Sequence, residues 1–217
     1  MSPKSESAYY RFSVDKDIIG EEDLILTGPR MDEELQAVTK LKQGDLSGLE
    51  FLVKQHQVKA VHTAYLITGD PALAEDIVQT AFLKVIRKIH QFDAQYLFRS
   101  WFLRIVINDA IKAAKRQQKC ISLDESVHET VSKWLMEKGP QPEELVEANN
   151  LRQMVWNALQ QLPPEQRAVI VQRHFLGMSE AEMTENLQKP ASTIKWWLHS
   201  ARKNLKALLV GEKNESR

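Results

Sequence analysis

The chain has 217 residues, 43% hydrophobic and 27% charged, an ordinary composition that can bury a core. Lys plus Arg number 29 and Asp plus Glu number 29, so net charge names no partner, and the single cysteine, Cys120, excludes an internal disulfide and a cysteine-built zinc cluster. The opening MSPKSESAYYRF lacks the apolar stretch of a signal peptide, and no apolar run approaches the roughly 20 residues that span a bilayer. A cytoplasmic protein without membrane insertion is expected.

Apolar residues recur at helical spacing almost throughout, so the chain reads as all-α. Residues 1–30 mix charges with Gly20, Gly28 and Pro29 and read as a flexible N-terminal extension. A helix is predicted over 32–43, stopped by Gly44. Ser47 with Glu50 has the capping-box pattern and opens a long helix to about Thr68. Asp70-Pro71 supplies an N-cap followed by proline at the first helical position, and a helix follows over 72–90. Residues 91–99 are predicted as a loop. The helix at 100–116 is apolar on nearly every side as far as Ile111, the mark of a central helix in a bundle.

Residues 118–150 change character, becoming acidic around Gly139-Pro140-Gln141-Pro142. This predicts an extended acidic linker over 120–142, with a short helix near 127–137, between domains at 31–119 and 143–217. In the second domain, helices are predicted over 143–161 and 164–175, with a break at Gly177. Ser179 and Glu182 form another capping box ahead of a short helix; the turn QKPAS follows, then a longer helix over 192–209. Short helix, tight turn and long helix make a helix-turn-helix pattern.

Charge follows the same division. Residues 1–30 carry net −2, residues 31–119 net +3, residues 120–150 net −5 and residues 151–217 net +4. Two basic blocks flank an acidic segment, which suits contact with a polyanion. On the last helix Ile194, Leu198, Ala201, Leu205 and Leu208 form one apolar stripe. The opposite face presents Lys195, Trp196, His199, Lys203 and Lys206, with Arg202 at its edge. That face suits a phosphate-lined major groove, and also an αα-hairpin with a solvated outer face. Trp197 is expected at the core edge and Trp196 in solvent, where a tryptophan calls for a partner.

Three stretches resemble the bacterial extracytoplasmic-function sigma factors. LAEDIVQTAFLKVIRKIHQFD (73–93) resembles the core-polymerase-binding helix, region 2.2. FRSWFLRIVINDAIKAAKRQQK (98–119) is similar to the minus-ten recognition and melting segment. LQQLPPEQRAVIVQRHFLGMSEAEMTENLQKPASTIKWWLHSARKNL (159–205) is similar to region 4, which reads the minus-thirty-five element. Departures fall at Gln79-Thr80, at Pro190-Ala191-Ser192, where the family usually has a glycine, at Trp196-Trp197 and at Ser200.

The resemblance implies a non-catalytic factor that binds core RNA polymerase through its β′ and β subunits and directs initiation at particular promoters. It also implies an anti-sigma factor as a partner. Glu75, Asp76 and Gln79 match the β′-facing positions; the alternative is that the two acids simply favour a helix N-terminus. For minus-ten DNA the resemblance points to the loop 91–99, with Phe92, Tyr96 and Phe98 available to stack on an unpaired base, to Asn108, and to the phosphate-contacting Arg104, Lys112, Lys115 and Arg116. Asn108 reads either as a base contact or as a buried amide bonded to backbone. For minus-thirty-five DNA they are Thr193, Lys195, Trp196, His199, Arg202 and Lys203. Six histidines without metal-ligand spacing, and no phosphate loop or nucleophile elbow, support neither catalysis nor a cofactor. The competing reading is a helix-turn-helix regulator carrying an unrelated helical sensor or dimerisation domain. The segments at 73–93 and 98–119 discriminate, because such a regulator needs neither.

Overall fold

Pro29 opens the first helix, α1 (Pro29–Lys42), and Gly44 ends it at a φ of 87°. The computed structural model describes residues 29–121 and 143–215, with side chains over 32–119 and 151–210. The expected extension at 1–30 therefore lies almost wholly outside the described residues. So do nearly all of the linker at 120–142 and the short helix near 127–137.

The second helix, α2 (Ser47–Thr68), starts differently from expectation. Leu46 already has helical dihedrals, so Ser47 sits inside the first turn, where its hydroxyl cannot cap. Its N–H donates to Asp45 Oδ1 at 2.9 Å, and Glu50 pairs with Lys54 at 2.6 Å. The capping box predicted at Ser47 does not form. α1 crosses α2 at Gly48, where a Cβ would lie 2.1 Å from the Ala37 carbonyl oxygen; only glycine lets the backbones approach this closely.

α3 (Pro71–Lys88) has the predicted start: Asp70 accepts the Leu73 N–H at 3.0 Å and Pro71 fills the first turn. It ends in a 3-10 turn, Ile89–Gln91. α4 (Phe98–Ile121) is longer than expected, starting where the Leu97 carbonyl accepts from Ser100 and Trp101. It packs between α2 and α3, with Phe102, Val106, Ile107 and Ala110 fully buried, the central helix that its all-round apolarity predicts.

The second unit comprises α5 (Glu143–Gln160), α6 (Pro164–Ile170), a π-turn at Val171–Phe175, α7 (Glu180–Leu187) and α8 (Ala191–Glu215). The predicted single helix at 164–175 changes winding halfway, where the Leu176 N–H reaches back five residues to the Val171 carbonyl at 3.1 Å. The Ser179 capping box is complete: Glu182 N–H donates to Ser179 Oγ at 3.2 Å, and Ser179 N–H donates to Glu182 Oε2 at 2.8 Å. α7 ends on Gln188, a non-glycine residue with a φ of 51°.

The two units share one continuous core. α5, α6 and the π-turn pack on α2, while α6 and α7 pack on α4. No strand occurs among the described residues.

Candidate functional site

α3 divides its side chains by face. Ala74, Ile77, Val78, Ala81, Phe82 and Val85 are buried against α2 and α4, fixing the helix in place. Glu75, Asp76, Gln79 and Thr80 are exposed together on the other side. Leu83, one turn beyond Gln79, extends this face at 55% exposure. An acidic and amide surface with an apolar end suits arginine-bearing helices. Leu83 is the member the sequence reading missed; its spacing of four from Gln79 was the available signal.

The residues expected at minus-ten DNA do not behave alike. Arg104 is half-buried on α4, and Lys112 and Arg116 project into solvent. Phe98 is 2% exposed, within an aromatic cluster formed with His56, Phe92, Trp101 and Phe102. A ring held on several sides offers no free face to a base, which corrects the stacking role expected for it. The exposed aromatic of this loop is Tyr96, at 66%. Asn108 donates its amide to the Arg104 carbonyl at 2.8 Å and to the Asn186 carbonyl of α7 at 3.3 Å. Of its two readings, the backbone-bonded one is present in this conformation. Lys115 forms an ion pair with Glu165 of α6, and Lys84 pairs with Asp109 at 2.6 Å.

α8 presents its predicted faces. Ile194, Leu198 and Ala201 are buried, with Trp197 and Leu205 at the core edge. Lys195, Trp196, His199, Arg202, Lys203 and Lys206 are exposed, Trp196 at 60%, while Thr193 is half-buried at the helix start. Glu180 of α7 comes within 3.9 Å of Lys195, an acid that the sequence around α8 did not place there. Near this face, partial desolvation, then Arg202 and Arg173, hold the pKa of the exposed His174 below its usual value.

Arg167 went unremarked in the sequence because it sits in an amphipathic pattern where cations are common. In the structure it is 5% exposed and joins the two units. Its Nη1 donates to the Ile67 carbonyl at 2.7 Å and to Gln160 Oε1; its Nη2 donates to the Leu162 carbonyl at 3.0 Å and to the Gln160 carbonyl. Burial pulls its pKa down to about 10, which leaves it charged at neutral pH.

Residues 52–120 match the family model for Sigma-70 region 2 and residues 152–205 that for Sigma-70, region 4, together more than half of the chain. The chain is 28% identical over 176 residues to the ECF RNA polymerase sigma factor SigW of Bacillus subtilis, covering 79% of this chain and 94% of that one. It is 29% identical over 171 residues to the ECF RNA polymerase sigma-E factor of Escherichia coli, covering 76% and 88%. Among solved structures it shares its fold with the sigma factor RpoE of Bartonella quintana, determined with the anti-sigma factor NepR: TM-score 0.57, 20% identity, 74% of this chain and 96% of that one. With both sigma regions matched in order and relatives covered almost end to end, the chain belongs to the extracytoplasmic-function RNA polymerase sigma factors.

Proposed function

We propose that this sigma factor divides its work among three faces: Glu75, Asp76 and Gln79 of α3 for core polymerase, α4 for minus-ten DNA, and the basic face of α8 for minus-thirty-five DNA. In this scheme region 2 spans 31–119, region 4 spans 143–217, and 120–142 links them through the polymerase. Arg104, Lys112, Lys115 and Arg116 contact phosphates, Asn108 contacts a base, and Tyr96 takes the stacking role that Phe98 cannot. Thr193, Lys195, Trp196, His199, Arg202 and Lys203 meet the major groove. The chain acts as a binding factor rather than an enzyme, works in the cytoplasm, and has an anti-sigma factor as a regulatory partner. Among the described residues no helix is long and apolar enough to cross a membrane.

The observation that carries this reading is the exposed Glu75–Asp76–Gln79 surface on a helix whose other side is locked in the core. A helix-turn-helix regulator with an unrelated partner domain has no use for such a surface, and the region 2 match over 52–120 weighs against it. The test is reconstitution with core polymerase. Wild-type chain should give promoter-dependent transcripts, and Asp76→Arg should abolish co-purification with core through like-charge repulsion against β′ arginines. Because Asp76 is exposed, its melting behaviour should stay within about 0.5 kcal/mol of wild type. A mutant that still co-purifies at wild-type affinity would show that polymerase binds elsewhere.

A further inference from the structure

The loop ahead of α4 is built as an arch. Its two ends, Phe92 and Phe98, are 4% and 2% exposed, and their rings meet edge-on with centroids 5.8 Å apart. Between them residues 93–97 are all exposed. Asp93 shapes the span: its Oδ1 accepts from the Gln95 N–H at 3.0 Å, and its carbonyl accepts from the Tyr96 N–H at 3.1 Å. The turn leaves Tyr96 and Leu97 in solvent.

Trp101 backs both end rings, and α1 ties both ends. At the first, Lys42 Nζ donates to the Phe92 carbonyl at 2.8 Å and lies 5.8 Å from the centroid of the Phe92 ring. At the second, Glu34 Oε1 stands 2.6 Å from His56 Nε2, both side chains mostly buried, and the His56 ring lies 5.4 Å from that of Phe98. A lysine in the last turn of a helix is ordinarily accounted for by the helix dipole. This one also reaches a loop carbonyl 50 residues along the chain, which the dipole does not require. α1 precedes residues 52–120, so the family match gives it no part in reading DNA.

We infer that α1 positions the minus-ten loop: Lys42 at Phe92, and Glu34 through His56 at Phe98, hold the arch so that Tyr96 is presented to an unpaired base. This rests on the sigma reading above and on the stacking role of Tyr96 within it. Stacking needs a ring at a fixed angle, and an exposed span between loose ends adopts other orientations most of the time. Lys42 and Glu34 act through Tyr96 rather than by contact with DNA, which makes them positioning residues.

Hydrogen exchange in the free chain reads the arch itself. Peptides covering 91–99 should exchange roughly tenfold faster in Lys42→Met, which keeps the stem and loses the donor, and return toward wild type in Lys42→Arg. Open-complex formation by the holoenzyme, on a promoter that wild type transcribes, reads the consequence. Lys42→Met should slow it about tenfold but slow Tyr96→Ala no further, because a residue acting through that ring then has nothing to place. Unchanged exchange in Lys42→Met overturns the positioning role. So does a loss that adds in full to that of Tyr96→Ala, which is the signature of a direct phosphate contact. Tyr96→Ala that opens promoters at the wild-type rate would remove the stacking role on which the inference rests. The exchange rates, measured without polymerase or DNA, keep that failure distinct.

Discussion

Two helices, α4 and α8, carry clusters of cations in this protein, and the fold treats them differently. On α8 the basic face is open: Trp196, His199, Arg202 and Lys203 stand in solvent, and an apolar stripe fixes their direction. On α4 both turns that face region 4 are occupied, Asn108 by the Asn186 carbonyl and Lys115 by Glu165. The basic face of α8 stands open, whereas two polar residues of α4 are engaged by the second unit.

The sharpest way to separate burial from function on the α4 side is to compare Phe98, its first residue, with Tyr96, two residues earlier. Phe98→Ala removes a buried ring from the aromatic cluster and should cost about 3–5 kcal/mol, enough to melt region 2 near ambient temperature. Tyr96→Ala removes an exposed ring and should leave stability within about 0.5 kcal/mol while reducing promoter melting. Thermal melts and permanganate footprinting read the two. A stable Phe98→Ala chain would show that the cluster is loose and restore Phe98 as a stacking residue.

That contrast also marks where the sequence was legible. Among the described residues, helix order and the α8 stripe followed from periodicity, because each amphipathic helix carries its own burial code. The caps at Asp70 and Ser179 followed from local chemistry. The cap at Ser47 failed because backbone entry at Leu46, which no side-chain pattern displays, decided the register. Phe98 was misjudged because region 2 places it under Phe92 and Trp101, a tertiary arrangement invisible to spacing. Arg167 and Asn186 escaped because their partners lie 100 and 78 residues away.

On the α8 side the expected effects are smaller. Trp196→Ala should weaken specific promoter duplex by roughly 1–3 kcal/mol while sparing scrambled duplex. Lys203→Ala should weaken both and flatten the salt dependence by about one unit of slope. Lys115→Ala should leave free-chain binding to the minus-thirty-five duplex unchanged, because its cation faces Glu165. Titrations at several salt concentrations separate the three. Equal loss on both duplexes for Trp196→Ala would move that indole to a protein-partner role.

The turn that sets the angle between α7 and α8 offers a gain rather than a loss. Gln188 holds a left-handed conformation that disfavours side chains with a Cβ. Gln188→Gly should raise the stability of region 4 by about 0.5–1 kcal/mol with duplex binding unchanged. A destabilised variant would mean that the glutamine side chain, not the backbone, holds the turn.

The smallest expected effect is a pH dependence, and it links the open face to the fold behind it. His174 is exposed at the surface, yet its partial desolvation and the nearby Arg202 and Arg173 all favour its neutral form. Its folded pKa is therefore below the unfolded value of 6.5. Between those two values the unfolded chain binds the extra proton, so stability is full above about pH 6.5 and declines as pH falls toward the folded pKa. Melting temperatures at pH 7.5 and 5.5 should show a larger drop for wild type than for His174→Gln, which has no proton to gain. Arg202 is also proposed to meet promoter DNA, whose phosphates would offset the repulsion that this guanidinium exerts on the ring. Promoter duplex should accordingly shrink the difference between wild type and His174→Gln. Parallel curves for the two proteins, with and without duplex, would show that the ring is solvated well enough for neither arginine to matter.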